Sequence, residues 1–521
     1  MNLLVKITLF FVFTFVLCSC KGKESNSNVN LQLSSFRDLR KAAYIIHPSL
    51  IRQYIGEQIR MDADSMPADH RAKGYYYQKG NFLWINYQGV DSHADTLLRY
   101  LERVNEEGFS TDKFRVKCIV SDLKCLRSLN FDQQSNTINR VLARLEYNLT
   151  KAYLRYTCGQ RFGYTDPYTL LNRLDVKKKD KNETIYQQLF DVQIQRPNKQ
   201  FWAEALQKVA HDSVADYLQA IQPKGELYLY LKKQLAVTKN KAERITLLCN
   251  LDRARWRTFD SPAQHDKYVV VNLPAQELVA INNNDVLKMR IGIGTRKNKT
   301  PLLYSSIVRM DINPQWIMPK SIMEKSVAAY AGNQFYFDAH HYFIRERSTG
   351  KRMDVAKVSA RMLRSGNYFV IQEGGKGNAM GRIVFRFKNN FSVYLHDTSS
   401  KNVFFKRNRC ISHGCIRVEN PFDFAIFLLD KKDKETINKI KYSMTADIHQ
   451  LYQNKRRRKL VGRKNMLNRT MLINSLAVKP AIPLFITYYT MLPDSNHKLH
   501  TYPDVYGYDN VIYHRLRNYM R

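Results

Sequence analysis

The chain reads as an α+β protein, mainly helical in its N-terminal half and strand-rich in its C-terminal half. Three observations carry that reading. Apolar residues recur at three- and four-residue spacing in the region up to about residue 260. After Pro262 the texture changes to short β-branched and aromatic runs separated by turn residues. The length, 521 residues, exceeds what one hydrophobic core fills, so more than one domain is expected.

Lys6 precedes an apolar run from Ile7 to Leu17 that is too short to span a bilayer as a mature helix, so residues 1–20 read as a secretory signal. Residues 21–35 are polar and Ser/Asn-rich, as expected of a flexible tether. A mainly helical domain is expected over 36–262. Within it Phe82-Leu-Trp-Ile85 reads as a short strand, and Ala94, Leu97, Leu98, Leu101 and Val104 form one helical stripe before Gly108. Ile138, Leu142, Leu145, Leu149 and Ala152 form a second stripe, of the kind that packs a core. A strand-dominated domain is expected over 263–521. Its strands are read at Lys267–Asn272, Glu277–Ile281, Met289–Ile293, Ile383–Phe387 and Phe391–Leu395, with Asn282-Asn-Asn-Asp285 as a turn.

The formal charge of +37 favours polyanionic surroundings. A secreted chain rarely meets nucleic acid, and no zinc-finger, RRM or KH signature is present, so nucleic acid is not the expected partner. Envelope polymers and lipids carrying carboxylates or phosphates fit better. The densest run, Lys455-Arg-Arg-Arg-Lys459, reads as a solvated face, with membrane-surface contact as the alternative. Six cysteines follow the signal (Cys118, Cys125, Cys158, Cys249, Cys410, Cys415) without small-scaffold spacing; Cys118 and Cys125 could pair across a loop.

The stretch richest in chemistry is His396-Asp-Thr398 followed by Ser412-His-Gly-Cys-Ile-Arg-Val418. Phe391, Val393 and Leu395 alternate with Ser392, Tyr394 and His396, which would place Tyr394 and His396 on one face of a strand. Gly414 lets the backbone approach closely just before Cys415. Asn420-Pro421 reads as the N-cap and first position of an apolar helix through about Leu429. A thiol near that helix start and near an imidazole is expected to have a lowered pKa. Nucleophile, base and backbone N–H groups, here the amides of Gly414 and Cys415, are what acyl transfer through a thioester requires.

These residues resemble the signature of the L,D-transpeptidase catalytic domain: His, fifteen residues, Ser-His-Gly-Cys, a hydrophobic residue and Arg. Asn313-Pro-Gln-Trp316 with Pro319, Gly377-Asn-Ala-Met-Gly381 and Tyr394-Leu-His-Asp-Thr398 resemble the large, Gram-negative type. So do Leu83-Trp-Ile85, Arg161-Phe-Gly163, Asp166-Pro167 and Asn250-Leu-Asp-Arg-Ala-Arg-Trp256, where that type has a helical scaffold domain, and Pro483–Tyr489 and Pro503-Asp-Val-Tyr-Gly507 near the end. The resemblance implies a β-sandwich-like catalytic domain with a capping insertion at about 317–368. It implies Cys415 as acylated nucleophile and His396 as proton acceptor and donor, its ring oriented by a backbone carbonyl. Ser412, His413 and Gly414 would shape the site, Arg417 would face a substrate carboxylate, and Tyr394 and Trp316 would border the substrate. The implied substrates are peptidoglycan stem peptides, of the meso-diaminopimelate kind, with carbapenems as acylating inhibitors, other cell-wall synthesis proteins as possible partners and no metal or organic cofactor. No copy of the small peptidoglycan-binding helical module is seen. Leu17-Cys18-Ser19-Cys20 resembles the lipobox of bacterial lipoproteins, with Cys18 as a departure, which implies a lipidated Cys20 and a periplasmic, membrane-anchored protein.

Blander readings stand beside these. Cys410, His413, Cys415 and His396 could be metal ligands, though without the usual spaced pairs. Cys410 reads as a buried thiol, or as a partner that bonds Cys415 under oxidation. His340-His341 reads as a surface pair in the capping segment rather than a metal site. A wall-binding protein without catalysis is the alternative function.

Overall fold

The computed structural model describes residues 45–520 apart from 87–88, 91, 180–182, 212 and 452–466. The expected signal, Cys20, the tether and the Lys455–Lys459 run lie outside the described residues. Among the described residues no helix is long and apolar enough to cross a membrane.

Two compact units emerge. One comprises residues up to 160 with 197–222 and the last residues from 519; the other comprises 161–196 and 223–518. The helices Glu226–Val237 and Lys241–Arg255 lie in the same compact unit as the strands. Polar pins hold the second of these helices there. Asn250 Nδ2 donates to Thr490 Oγ1 at 2.7 Å, and Arg253 pairs with Asp509 at 2.6 Å.

In the helical unit, helices Pro48–Met61, Pro67–Tyr77, His93–Glu102 and Val116–Arg127 gather with the long helix that starts at Ile138. The second stripe is fully buried, as are Ala94, Leu97, Leu101 and Val104 of the first, while Leu98 is half-buried. Cys118 and Cys125 lie on one helix, seven residues or about 10 Å apart along its axis, so they stay free rather than paired. The long helix also turns charge inward. Lys151 Nζ meets Asp62 and, at 2.7 Å, Asp64, and Arg155 Nε meets Asp69 at 2.6 Å. Glu146 accepts from the backbone N–H of Trp84 at 2.9 Å and from Tyr76 Oη at 2.7 Å, and so fixes the Leu83-Trp84-Ile85 segment. That segment carries only a two-residue strand, β1 (Ile85–Asn86), paired with β2 (Gly89–Val90).

The second unit begins with the hairpin β3 (Val176–Lys179) and β4 (Thr184–Tyr186), then β5 (Phe190–Asp191). Its main sheet is built from β6 (Lys267–Asn272), β7 (Glu277–Asn282), β8 (Asp285–Gly294) and β9 (Leu302–Ile312). It is completed by β14 (Ile383–Phe387), β15 (Leu395–His396), β16 (Cys410–Ser412), β17 (Ile416–Val418) and β18 (Ser475–Thr487). The order is β14-β15-β17-β8-β7-β6-β18-β9, and β9 also pairs with β14, so the sheet closes into a barrel. Inward residues such as Val269, Ile291, Phe385, Leu395 and Ile416 fill it, and Phe424 of the helix Pro421–Leu428 packs on Phe385 with ring centroids 4.6 Å apart.

Between β9 and β14 the chain makes a separate small sheet: β10 (Trp316–Ile317), β11 (Tyr342–Glu346), β12 (Arg352–Met353) and β13 (Tyr368–Gln372), ordered β10-β13-β11-β12. It has its own core of Met318, Met323, Val327, Phe337, Ile344, Leu363 and Val370.

One expected strand is largely absent. Of 391–396 only Leu395 and His396 pair, and Ser392 takes a left-handed φ of 53°. The cause is Asn389, whose side chain accepts from the N–H of Phe391 at 2.9 Å and of Val393 at 3.1 Å and so winds this stretch into a loop.

Candidate active site

Cys415 lies between two strands that both reach β8. β16 runs parallel to β8, with Ser412 opposite Gly294, and β17 runs antiparallel to it, with Arg417 opposite Gly292. The intervening turn needs the left-handed φ of 120° at Gly414. Ser412, buried, ties the turn together: its Oγ donates to the Cys415 carbonyl at 2.5 Å and accepts from the Gly414 N–H at 3.1 Å. The Gly414 amide is thus occupied, contrary to its expected part as an oxyanion donor. Two residues outside the His396 and Cys415 motifs hold the turn from behind. Thr300 Oγ1 donates to the Gly414 carbonyl at 2.8 Å, and Tyr506 Oη donates to the Gly294 carbonyl at 2.8 Å. Only the Pro503–Gly507 resemblance hinted at Tyr506.

β15 and β17 are parallel neighbours, with Leu395 opposite Ile416 and His396 opposite Arg417. The Ile416 N–H also bonds the Tyr394 carbonyl at 2.9 Å. Because Leu395 and Ile416 point into the barrel core, alternation places Tyr394, His396, Cys415 and Arg417 together on the other face. Tyr394 is half-buried beneath the Arg386 guanidinium, 4.7 Å from its ring centre. His396 is buried, and its Nδ1 donates to the Asp397 carbonyl at 2.5 Å. The Asp397 carboxylate faces away, accepting from the Arg382 N–H at 2.7 Å and from Lys401 Nζ at 2.6 Å. Gly381 is obligatory in this arrangement, since a Cβ there would sit 2.4 Å from Asp397 Cγ at a φ of +66°.

Burial dominates the electrostatics. It pushes the His396 imidazole down to about 4, against the hydrogen bond to Asp397 and with help from the positive charge of Arg417. Burial also pushes the Cys415 thiol up, over the opposing pull of the Tyr394 backbone N–H and of Arg417. The lowered thiol pKa expected from the nearby helix start is not found. β17 stands between Cys415 and Pro421, and a helix dipole acts only within about a turn. Cys415 and His396 are therefore both neutral near pH 7. Arg417 is half-buried with an Nε that has no hydrogen-bond partner among the described residues, and its charge acts on both the Cys415 sulfur and the His396 imidazole.

His413 is exposed and, with Gly414, lines a cleft of about 1130 Å³ whose other walls include Lys177, Ile185, Arg296 and Lys299. Trp316 is placed differently: it stands in β10, half-buried against the small sheet's own core. Cys410 is a half-buried free thiol whose sulfur accepts from Gln276 Nε2 at 3.7 Å.

Residues 266–457 match the L,D-transpeptidase catalytic domain, and residues 71–235 match a scaffold domain. A Haemophilus influenzae protein provisionally named an L,D-transpeptidase is 25% identical over 325 residues, covering 61% of this chain. The chain spans 60% of that relative's length. An L,D-transpeptidase from Mycobacterium smegmatis aligns with 31% of this chain and 53% of its own, at 15% identity and a TM-score of 0.18. A structure of the Ldtfm–avibactam carbamoyl enzyme aligns with 53% of this chain and 78% of its own, at 14% identity and a TM-score of 0.19. These two spatial likenesses are too partial to bear on the site. By these matches the chain carries an L,D-transpeptidase catalytic domain over residues 266–457, preceded by a scaffold domain over residues 71–235.

Proposed function

We propose that the protein is a peptidoglycan L,D-transpeptidase that uses Cys415 as nucleophile and His396 as base. The observation that supports this reading is the parallel pairing of β15 with β17, whose register brings the chain at Tyr394-Leu-His396 alongside Cys415-Ile-Arg417. The Cys415 sulfur attacks the carbonyl of the third stem residue, meso-diaminopimelate, in a tetrapeptide donor. Because the thiol is neutral at rest, its proton passes to His396 as the C–S bond forms, rather than beforehand. His396 then delivers that proton to the nitrogen of the terminal D-alanine as the C–N bond breaks, leaving a thioester. An acceptor amine attacks the thioester, His396 takes the amine's proton and returns it to the leaving sulfur, and a 3→3 cross-link results. The Cys415 N–H remains as the turn's oxyanion donor once Gly414 is bonded to Ser412. Arg417, with its unpartnered Nε, faces a substrate carboxylate. The cleft beside His413, walled by Lys177, Arg296 and Lys299, suits a second, carboxylate-bearing stem. With water as acceptor the same site is an L,D-carboxypeptidase, and with a free D-amino acid it is an exchange enzyme.

The protein acts outside the cytoplasm, anchored through a lipidated Cys20, a reading that rests on the sequence of residues 6–20. The test is incubation of the mature chain and a Cys415→Ala control with disaccharide-tetrapeptide, products being read by mass spectrometry. A cross-linked dimer lacking one D-alanine, formed only by the parent, is expected. Sacculus binding without any change in muropeptides would sink the catalytic reading in favour of a wall-binding protein.

A further inference from the structure

Away from Cys415, three side chains distant in sequence converge: His341, Glu373 and His449 each offer a ligand atom within 4.8 Å of the others. His341 immediately precedes β11 and Glu373 immediately follows β13, and the Glu373 N–H donates to the His341 carbonyl at 2.9 Å. His449 arrives from the short 3-10 turn Ile448–Leu451, beyond the helix Lys434–Thr445.

The two imidazoles lie face to face with centroids 3.8 Å apart and planes 15° from parallel, so the His341 ring turns on binding to bring both in-plane lone pairs to one ion. His449 Nε2 donates to the Lys376 carbonyl at 3.2 Å, which leaves Nδ1 with its lone pair free, and that Nδ1 is buried with no hydrogen-bond partner. A ring N–H fixed by a carbonyl with the opposite nitrogen bare is the arrangement that ligating histidines adopt. Gly375 makes room for the ring, since a Cβ there would come within 3.0 Å of His449 Nε2. His341 is held at a left-handed φ of 55°, a conformation that residues other than glycine sustain only when their surroundings impose it. Glu373 is buried, and the largely exposed Arg352 donates to its Oε1 at 3.5 Å, a long ion pair that a metal would compete with.

The geometry points to a divalent transition-metal site of two imidazoles and one carboxylate, formed by His341, His449 and Glu373, that clasps the small sheet to the Ile448–Leu451 turn. Two nitrogen donors favour Zn²⁺, Co²⁺, Ni²⁺ or Cu²⁺ over Mg²⁺ and Ca²⁺, which prefer all-oxygen shells. Ligand bonds of about 2.1 Å in a tetrahedral shell hold donor atoms about 3.4 Å apart, so the three side chains close by roughly an ångström on binding. The remaining coordination positions go to water. The site is separate from the proposed chemistry at Cys415 and does not depend on it.

The probe is Co²⁺ alone, added to untagged, chelator-stripped full chain and to its Cys415→Ala variant. One Co²⁺ per chain is expected, with visible d–d absorption, displaced by equimolar Zn²⁺ and unchanged in Cys415→Ala. Affinity should fall at least ~100-fold in His341→Ala and in His449→Gln, with near-UV circular dichroism verifying their fold. Should either variant unfold, Cu²⁺ paramagnetic resonance on the parent chain reads the same point directly, through coupling to two imidazole nitrogens. Retention of Co²⁺ by both folded histidine variants, its loss in Cys415→Ala, a Cu²⁺ spectrum without two imidazoles, or no stoichiometric binding by the parent would each overturn the assignment.

Discussion

A neutral Cys415 beside a neutral His396 predicts a distinctive pH profile for the resting thiol. An ordinary cysteine, with a pKa of about 8.5, is roughly 3% thiolate at pH 7, and burial places Cys415 below even that fraction. Alkylation by iodoacetamide, which consumes thiolate, should therefore rise about tenfold for each pH unit between 6 and 8. A pre-formed imidazolium–thiolate pair would instead give a plateau across that range. Reaction with the stem peptide should behave differently, because in the proposed mechanism His396 removes the proton during attack. His396→Ala should leave alkylation at pH 8 within about threefold of the parent while lowering acylation by about 10²–10⁴-fold. The readout is mass spectrometry of the peptide that contains Cys415, since Cys118 is exposed and would confuse a bulk thiol assay. Flat alkylation from pH 5 to 8, or an equal loss of both reactions in His396→Ala, would show that the pair is ionised at rest and that burial does not dominate.

Other expectations follow from the same structure. With a folded-state pKa of about 4 against an ordinary 6.5 or so, His396 binds its proton in the unfolded chain first, so its contribution to stability is present above pH 6.5 and lost as pH falls toward 4. A shift of that size corresponds to about 3 kcal/mol, and urea melts of His396→Asn should show a shallower acid loss than the parent over this window. Ser412→Ala leaves the Gly414 N–H and the Cys415 carbonyl without their shared partner and should cost about 2 kcal/mol in urea unfolding, with slower acylation of Cys415. In the helical unit, Lys151→Met removes the buried ammonium from Asp62 and Asp64, leaving them to the part-exposed Arg115 and, for Asp64, to Arg155. It should destabilise that unit by about 3–5 kcal/mol, followed through the fluorescence of the buried Trp84.

How far the sequence reached depended on whether a feature is fixed by neighbours in the chain. Lys267–Asn272 and Ile383–Phe387 were legible to the residue as strands because apolar runs and turn residues bounded them locally. The stripe from Ile138 to Ala152 was legible because one helix face buries it. Alternation misled at 391–394, where a single side-chain amide, Asn389, captures backbone donors that a ladder would have used. Proximity in sequence misled about the thiol, since the helix start at Pro421 lies close to Cys415 along the chain but beyond an intervening strand. The anchoring of Asn250 and Arg253, polar residues on a helix, by Thr490 and Asp509 far downstream had no local signal in the sequence.

The candidate site shows the same split within a few ångströms. Its reacting groups sit in two short local motifs, since a turn and a strand end suffice to present a thiol and an imidazole. What holds those motifs in register comes from elsewhere: Thr300 and Tyr506 brace the Gly414 turn, and the space that Gly381 leaves is filled by Asp397, the residue whose carbonyl aims His396. The spacing of histidine and cysteine in the sequence therefore points to the proposed reagents, but their alignment is a property of the closed barrel. A substitution at Thr300 or Tyr506, outside the His396 and Cys415 motifs, should for that reason slow acylation of Cys415 while leaving its resting alkylation profile intact.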